Sequence, residues 1–269
     1  MGLGAEHVVV LPDGEAWLTD RMAEAAAGPS RDAVVVAVVG GRGGAGASTL
    51  AAAVALAGTR AGARVLLLDA DPLGGGIDLV LGAEDVAGLR WPDLAHARGR
   101  VAPAALDEAL PRAQALTVLS WDRGDLVALP PAAVTAVLDA GVRGFDLVVV
   151  DLPRHVDAAM RTVLARAAVT WVVVPREVRA TAAAARVVAA LSGVAGEIEV
   201  VARGPAPSGL SARQVAEALG LPLALEVRSE PGLAASADRG ERWRRRGPLA
   251  AAADLLVADV LGRRSGASV

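Results

Sequence analysis

Val34-Val-Val-Ala-Val-Val-Gly-Gly-Arg-Gly-Gly-Ala-Gly-Ala-Ser-Thr-Leu50 runs from a β-branched stretch through a glycine-rich bend into small and apolar residues at helical spacing. Val34 to Val39 has the unbroken apolar character of a parallel strand covered on both faces, and Leu50 to Ala57 has the length and composition of a covering helix. Between them, Gly40, Gly41, Gly43, Gly44 and Gly46 permit positive φ and close backbone approach, so successive N–H groups can turn inward as a nest for an anion. The helix behind them adds free N–H groups and the positive end of its dipole. Strand, bend and helix in this order predict a phosphate site in an α/β protein.

Set against the phosphate-loop pattern G-x-x-x-x-G-K-[ST], the run Gly41, Arg42, Gly43, Gly44, Ala45, Gly46, Ala47, Ser48 fits at every position except the lysine, which is Ala47. All 27 basic residues are arginines, so no lysine from elsewhere in the chain can take its place. The loop x-[KR]-G-G-x-G-x-[ST]-T resembles the deviant Walker A loop of the MinD/ParA family, dimeric ATPases in which a signature cation ahead of two glycines crosses to the partner's nucleotide. Arg42 stands at that signature position. The resemblance implies ATP and Mg²⁺ as ligands, a nucleotide-dependent homodimer, and a nucleotide cradle made by residues 41–48 together with Thr49. The form Arg-Gly-Gly-Ala-Gly-Ala-Ser-Thr is more similar to the CpaE/TadZ branch. Gly88-Leu-Arg-Trp-Pro-Asp-Leu94, Leu119-Ser-Trp-Asp-Arg-Gly124 and Asp151-Leu-Pro-Arg154 look like its septum site-determining members.

Two strands deliver carboxylates. Arg64-Val-Leu-Leu-Leu-Asp69-Ala-Asp71 brings Asp69 and Asp71 to a strand's C-terminal end, where open α/β sheets bind ligands. The resemblance gives Asp71 the task of orienting the attacking water, while Gly74 to Gly76 suggests a mobile switch loop. Phe145-Asp-Leu-Val-Val-Val-Asp151 is a second such strand, and its Asp151 can hold the water shell of Mg²⁺ opposite the Ser48 hydroxyl. Ser48, Asp69 and Asp151 are thus the candidate metal residues, and Asp71 and Arg42 the candidate catalytic ones. In the resembled family an Asn ending the strand that matches 197–202 reads the adenine edge; here Ala202-Arg203 stands there, leaving Arg203 as a stacking partner for the base.

Composition narrows the classes. With 269 residues, 54% of them hydrophobic, and a mean hydropathy of +0.44, the chain has ample material for a core, while one Phe and no Tyr leave few aromatic anchors. The absence of cysteine excludes disulfides, thiolate metal sites and iron–sulfur clusters. A net charge of −3 and a pI near 5.7 argue against a general nucleic-acid binder. No apolar run of about 18 uncharged residues occurs, and the sequence shows no signal peptide, so a cytoplasmic protein is expected, with contact at the inner face of the membrane only a secondary reading.

The rest keeps a βα rhythm: strands at 170–175, 197–202 and 223–227, helices at 181–191, 211–219 and 249–261. Alternation of this kind predicts a mostly parallel sheet with helices on both faces, as one domain over residues 31–262, followed by a tail at 263–269. Residues 1–30 form a prelude, strand 8–12 and helix 15–27. It is either the remnant of a receiver-like domain, as the resemblance implies, with a truncated or misplaced start, or an extra strand and helix on the main fold. Trp91 and Trp121 fit partial core better than binding anchors. Arg242-Trp-Arg-Arg-Arg246 is an ordinary solvated cluster or a contact for an anionic partner, and the acidic Asp254 and Asp259 mark the last helix as packed and not a membrane anchor. The functional expectation is a regulatory ATPase with weak or no hydrolysis, acting through division or through secretion and pilus proteins. The alternatives are a non-hydrolysing scaffold and, less favoured, a DNA-partitioning ATPase.

Overall fold

The computed structural model describes residues 32–95, 100–124, 128–239 and 246–266, together with 9–12, 14, 15, 17, 18 and 22 of the leading segment; side chains at 234, 237, 238 and 264–266 are excepted. Most of the leading helix at 15–27, residue 8 of the leading strand, and 242–245 of the arginine cluster lie outside the described residues. Residues 9–12 belong to no strand of the sheet, and Arg246 is exposed.

The quoted stretch forms the centre of the molecule. Strand β1 (Val34–Gly40) and helix α1 (Ala47–Arg60) flank the glycine loop. Strand β2 (Val65–Asp69) follows, then three short helices, α2 (Ile77–Leu81), α3 (Trp91–Leu94) and α4 (Pro103–Ala109), and a small hairpin of β3 (Arg112–Ala113) and β4 (Leu116–Leu119). The βα alternation resumes with α5 (Pro131–Gly144), β5 (Leu147–Leu152), α6 (Ala158–Leu164), β6 (Val169–Pro175), α7 (Val178–Leu191), β7 (Ile198–Arg203), α8 (Ala212–Leu219) and β8 (Leu223–Val227). Helices α9 (Leu233–Asp238) and α10 (Pro248–Gly266) close the chain. The eight strands lie in the order β3-β4-β2-β5-β1-β6-β7-β8. Every pairing is parallel except that of β3 with β4, so the mostly parallel α/β sheet expected from the alternation is the one observed.

The strand pattern explains how both faces are covered. Val35, Ala37 and Val39 of β1 belong to one buried cluster with residues of α5, α6, α7 and α8, whereas Val36 and Val38 belong to the other, with α1 and α10. Side chains alternate between the faces, so a strand apolar at every position needs helices on both sides. Helix α1 is buried from Leu50 through Gly58, a consequence of its small residues. A methyl group on Gly58 would lie 2.8 Å from Val65 and 2.9 Å from Leu147, so the helix can sit this close to the sheet only with glycine there. Helix α10 packs Leu249, Leu256 and Val260 inward and pairs its Asp254 with Arg60, as expected of a packed final helix. Among the described residues no helix is long and apolar enough to cross a membrane.

The β3–β4 hairpin and helix α5 were not anticipated from the sequence. Four residues, Leu-Thr-Val-Leu, are too short to stand out as a strand, and their neighbours Trp121 and Arg123 read as loop. Trp91 and Trp121 sit beyond this edge, 1% and 7% exposed, with ring centroids 6.3 Å apart, which makes both of them core.

Candidate functional site

The site forms where β1 meets its loop. Gly44 (φ 69°) and Gly46 (φ 94°) adopt the left-handed conformation that disfavours side chains, and Gly46 caps α1 with no side-chain hydrogen bond, leaving the helix N-terminus open. The loop is tied to the sheet by Gly41 N–H donating to the Val173 carbonyl at 2.9 Å. A methyl group on Gly41 would lie 2.7 Å from Ala184, so this glycine is needed for close approach of α7.

The strand-end acids come together beside it. β2 and β5 are neighbours in register, with Asp69 opposite Asp151, and the Ala70 N–H donates to the Asp151 carbonyl at 2.9 Å. Ser48, the second residue of α1, has its hydroxyl beside the Asp151 carboxyl. Burial pushes the Asp151 carboxyl up to about 8, with the charges of Asp69 and Asp71 adding to the rise and the Ser48 hydrogen bond opposing it. Burial likewise raises Asp69 to about 6, against hydrogen bonds from the Ile77 N–H at 2.8 Å, the Ser120 hydroxyl at 3.0 Å and the Asp71 N–H at 3.2 Å. With three donors on its carboxylate, Asp69 anchors the loop 70–76 as well as bordering the site. Asp71 is half-buried, and its carboxylate accepts the Leu73 N–H at 3.0 Å.

These residues fit a Mg²⁺–nucleotide. Among the described residues no three His, Cys, Asp or Glu side chains are placed to hold a metal ion by themselves. A Mg²⁺ ion here would be carried by one hydroxyl, one or two carboxylates, waters and the phosphates. A buried acid cluster raised this far, beside an amide cradle, is short of positive charge. Ser48 and Asp151 would hold the ion, and the loop from Gly43 to Thr49 the phosphates.

The arginines are placed less simply than the sequence suggests. Arg42 is half-exposed, with Nη2 at 3.2 Å from both oxygens of Glu177 and Nη1 donating to the Gly43 carbonyl at 3.0 Å. Its Nε is buried and makes no hydrogen bond. In the single chain, then, the signature cation is held by a residue just beyond β6. Arg203 lies on the loop: Nη1 donates to the Ala45 carbonyl at 2.8 Å, and a methyl group on Gly46 would come within 2.8 Å of the same nitrogen. Ala202 beside it is fully buried. Ala47 is half-buried at the start of α1 and brings no charge.

A polar network not recognised from the sequence stands behind Asp69. The Trp91 Nε1–H donates to the Asp69 carbonyl at 2.5 Å, and the Ser120 hydroxyl lies 3.2 Å from Asp78 Oδ1. Asp78, buried, is paired with Arg123 at 3.0 Å and with Arg90 at 3.8 Å. The segments 88–94 and 119–124 are therefore the brace that fixes the β2 end. Only the tendency of indole N–H groups to find a buried partner hinted at this. Glu177 was also missed; its place just after a strand running into the sheet's C-terminal edge was the available signal.

No family model matches the chain. It is 45% identical over 255 residues to the uncharacterized protein Rv3660c of Mycobacterium tuberculosis strain ATCC 25618 / H37Rv, an alignment covering 93% of this chain and 71% of that protein. The uncharacterized protein MT3760 of strain CDC 1551 / Oshkosh matches to the same extent. Among solved structures, a ParA family ATPase from Chlorobium tepidum TLS superposes with a TM-score of 0.74 at 18% identity, covering 83% of this chain and 98% of that one. The MinD cell division protein of Aquifex aeolicus gives 0.67 at 23% identity, covering 88% and 99%. The septum site-determining protein MinD of Pyrococcus horikoshii OT3, complexed with Mg-ADP, gives 0.68 at 18% identity, covering 85% and 96%. At these identities the likeness is one of fold.

Proposed function

We infer, for a chain that belongs to one family with the mycobacterial proteins Rv3660c and MT3760 and has the fold of the MinD and ParA ATPases, that it binds ATP with Mg²⁺ and acts as a nucleotide-dependent regulatory protein. The observation that carries this is the convergence of the strand-end acids, Asp151 opposite Asp69 in register with Asp71 two residues on, at the glycine loop, with Ser48 at the Asp151 carboxylate. Mg²⁺ would neutralise phosphate charge there. The chain's own residues do the rest: loop amides cradle the phosphates, Ser48 and Asp151 orient the ion's shell, and Asp71, at the rim, orients a water.

Hydrolysis is weak in this reading, because Ala47 offers the transferring phosphoryl no charge and Arg42 is engaged by Glu177. That pair is half-exposed, so releasing Arg42 toward a second copy costs only about 0–1 kcal/mol. Nucleotide-dependent dimerisation through this face, with a division or a secretion and pilus protein as partner, is the finer proposal. Its support is the resemblance of the loop and of segments 88–94 and 119–124 to septum site-determining and CpaE-like proteins. Calorimetric titration with ATP–Mg²⁺ tests the binding, and absence of affinity would refute it. The second reading, a scaffold that binds without turnover, is favoured by Ala47. Phosphate release abolished by Arg42→Ala supports the first reading, and none in the unmodified protein supports the second.

A further inference from the structure

Among the described residues three guanidinium groups reach the glycine loop, and two of them are already committed. Arg42 is bound by Glu177 and the Gly43 carbonyl, and Arg203 by the Ala45 carbonyl. The third is Arg154. It stands three residues beyond Asp151, in the segment that leaves β5 at the C-terminal edge of the sheet. A methyl group on Gly43 would lie 3.7 Å from its Nη2, with no other atom within 4 Å. Arg154 is exposed and makes no hydrogen bond or ion pair with any described residue.

An exposed, unpaired arginine is ordinary by itself. This one differs in its position. Asp151 ends β5 beside Ser48, so the backbone that delivers this carboxylate also delivers, three residues on, a guanidinium with no partner among the described residues to the opening half of the loop. Gly43 has no side chain to keep the guanidinium away, and Arg203 occupies the other half, over Gly46. The loop lacks the lysine that ordinarily reaches the β- and γ-phosphates. Nearby stand the acidic side chains of Asp69, Asp71 and Asp151, and those of them that are ionised repel a triphosphate unless cations intervene. A planar guanidinium suits two-point contact with phosphate oxygens better than an ammonium does.

We propose that Arg154 is the phosphate-binding cation of this site, supplied from the end of β5 in place of the lysine missing at Ala47. This rests on the nucleotide-binding reading above. The inference makes Arg154 a binding residue acting within one chain, distinct from Arg42, whose role depends on a second copy.

The test is calorimetric titration of the full chain with ATP–Mg²⁺ at constant ionic strength, comparing the unmodified protein with Arg154→Gln, Arg154→Lys, Ala47→Lys/Arg154→Gln and Arg213→Gln. Arg213 is an exposed arginine on α8, paired among the described residues with Glu217, and reports the effect of losing any one positive charge. Arg154→Gln is expected to weaken binding about 10- to 100-fold, the range for losing a hydrogen bond to a charged group. Arg154→Lys should recover part of the loss, and Ala47→Lys, which restores a cation from the helix side, most of it. Arg213→Gln should bind as the unmodified protein does. Because Arg154 has no partner to lose among the described residues, the apo melting temperature of Arg154→Gln should be unchanged, which separates a binding defect from misfolding. Arg154→Gln binding within twofold of an unmodified protein that does bind ATP would overturn this inference alone. An unmodified protein without ATP affinity would overturn the nucleotide reading and this inference with it.

Discussion

Replacing Asp151 by asparagine should stabilise the nucleotide-free protein at pH 8 relative to pH 5, although it removes a side chain proposed for the site. Asp151 is 3% exposed, and burial lifts its carboxyl from 3.8 to about 8. Such a group binds its proton more tightly in the folded state. Stability therefore falls as pH rises from the unfolded value near 3.8 through the folded value near 8. Taken at face value the interval corresponds to about 6 kcal/mol, and relaxation and water penetration reduce penalties of this kind, so about 2–6 kcal/mol is the range at pH 8. Asparagine is neutral at both pH values and its carbonyl oxygen can still accept the Ser48 hydroxyl. At pH 5 it replaces an already protonated acid and costs whatever its unpaired amide N–H groups cost; at pH 8 it replaces an acid about half ionised, which has already lost most of its burial-dependent stability. About three quarters of this interval lies between pH 5 and pH 8, and for a chain of this size about 2–4 °C accompanies each kcal/mol, so the change in melting temperature caused by the substitution should be more favourable at pH 8 than at pH 5 by at least about 3 °C. The Asp69 carboxyl, raised to about 6, is freed of repulsion by the Asp151 charge in the variant, which adds to the difference in the same direction. Thermal denaturation in the absence of nucleotide and divalent ions measures it. An equal shift at the two pH values would show that Asp151 carries no burial penalty and would refute the description of an acid cluster short of positive charge.

Ala47→Lys should tighten ATP–Mg²⁺ binding about tenfold or more, by adding a charged hydrogen bond at the start of α1, as read by titration. Gly46→Ala should abolish binding and lower stability by about 1–3 kcal/mol, because the residue has φ 94° and the added carbon would meet Arg203 Nη1 at 2.8 Å; denaturant unfolding and titration read the two effects. Trp91→Phe keeps most of the apolar volume but leaves the Asp69 carbonyl without its indole donor, and should cost about 1–3 kcal/mol in denaturant unfolding.

What the sequence determined by itself was local chemistry and its order along the chain. The unbroken valines of β1, the glycines at 43, 44 and 46 and the small residues of α1 allow little besides strand, anion nest and close-packed helix. The same chemistry named Ser48, Asp69, Asp71 and Asp151, since an apolar strand ending in Asp can present that carboxylate only at the sheet's C-terminal edge. Which groups pair across the sheet was decided by tertiary structure, because strand order is set by how the helices cover both faces and not by any one segment. Only that order puts β5 between β2 and β1, and so sets Asp69 beside Asp151 and within reach of Ser48. It also brings Glu177 from beyond β6 to Arg42 and Arg154 from beyond β5 to Gly43, partners that long flexible side chains could have found in many places. The bracing of the β2 end by Trp91, Ser120 and Asp78 came from short, weakly patterned segments, whose structure follows from the burial of their neighbours and not from propensity.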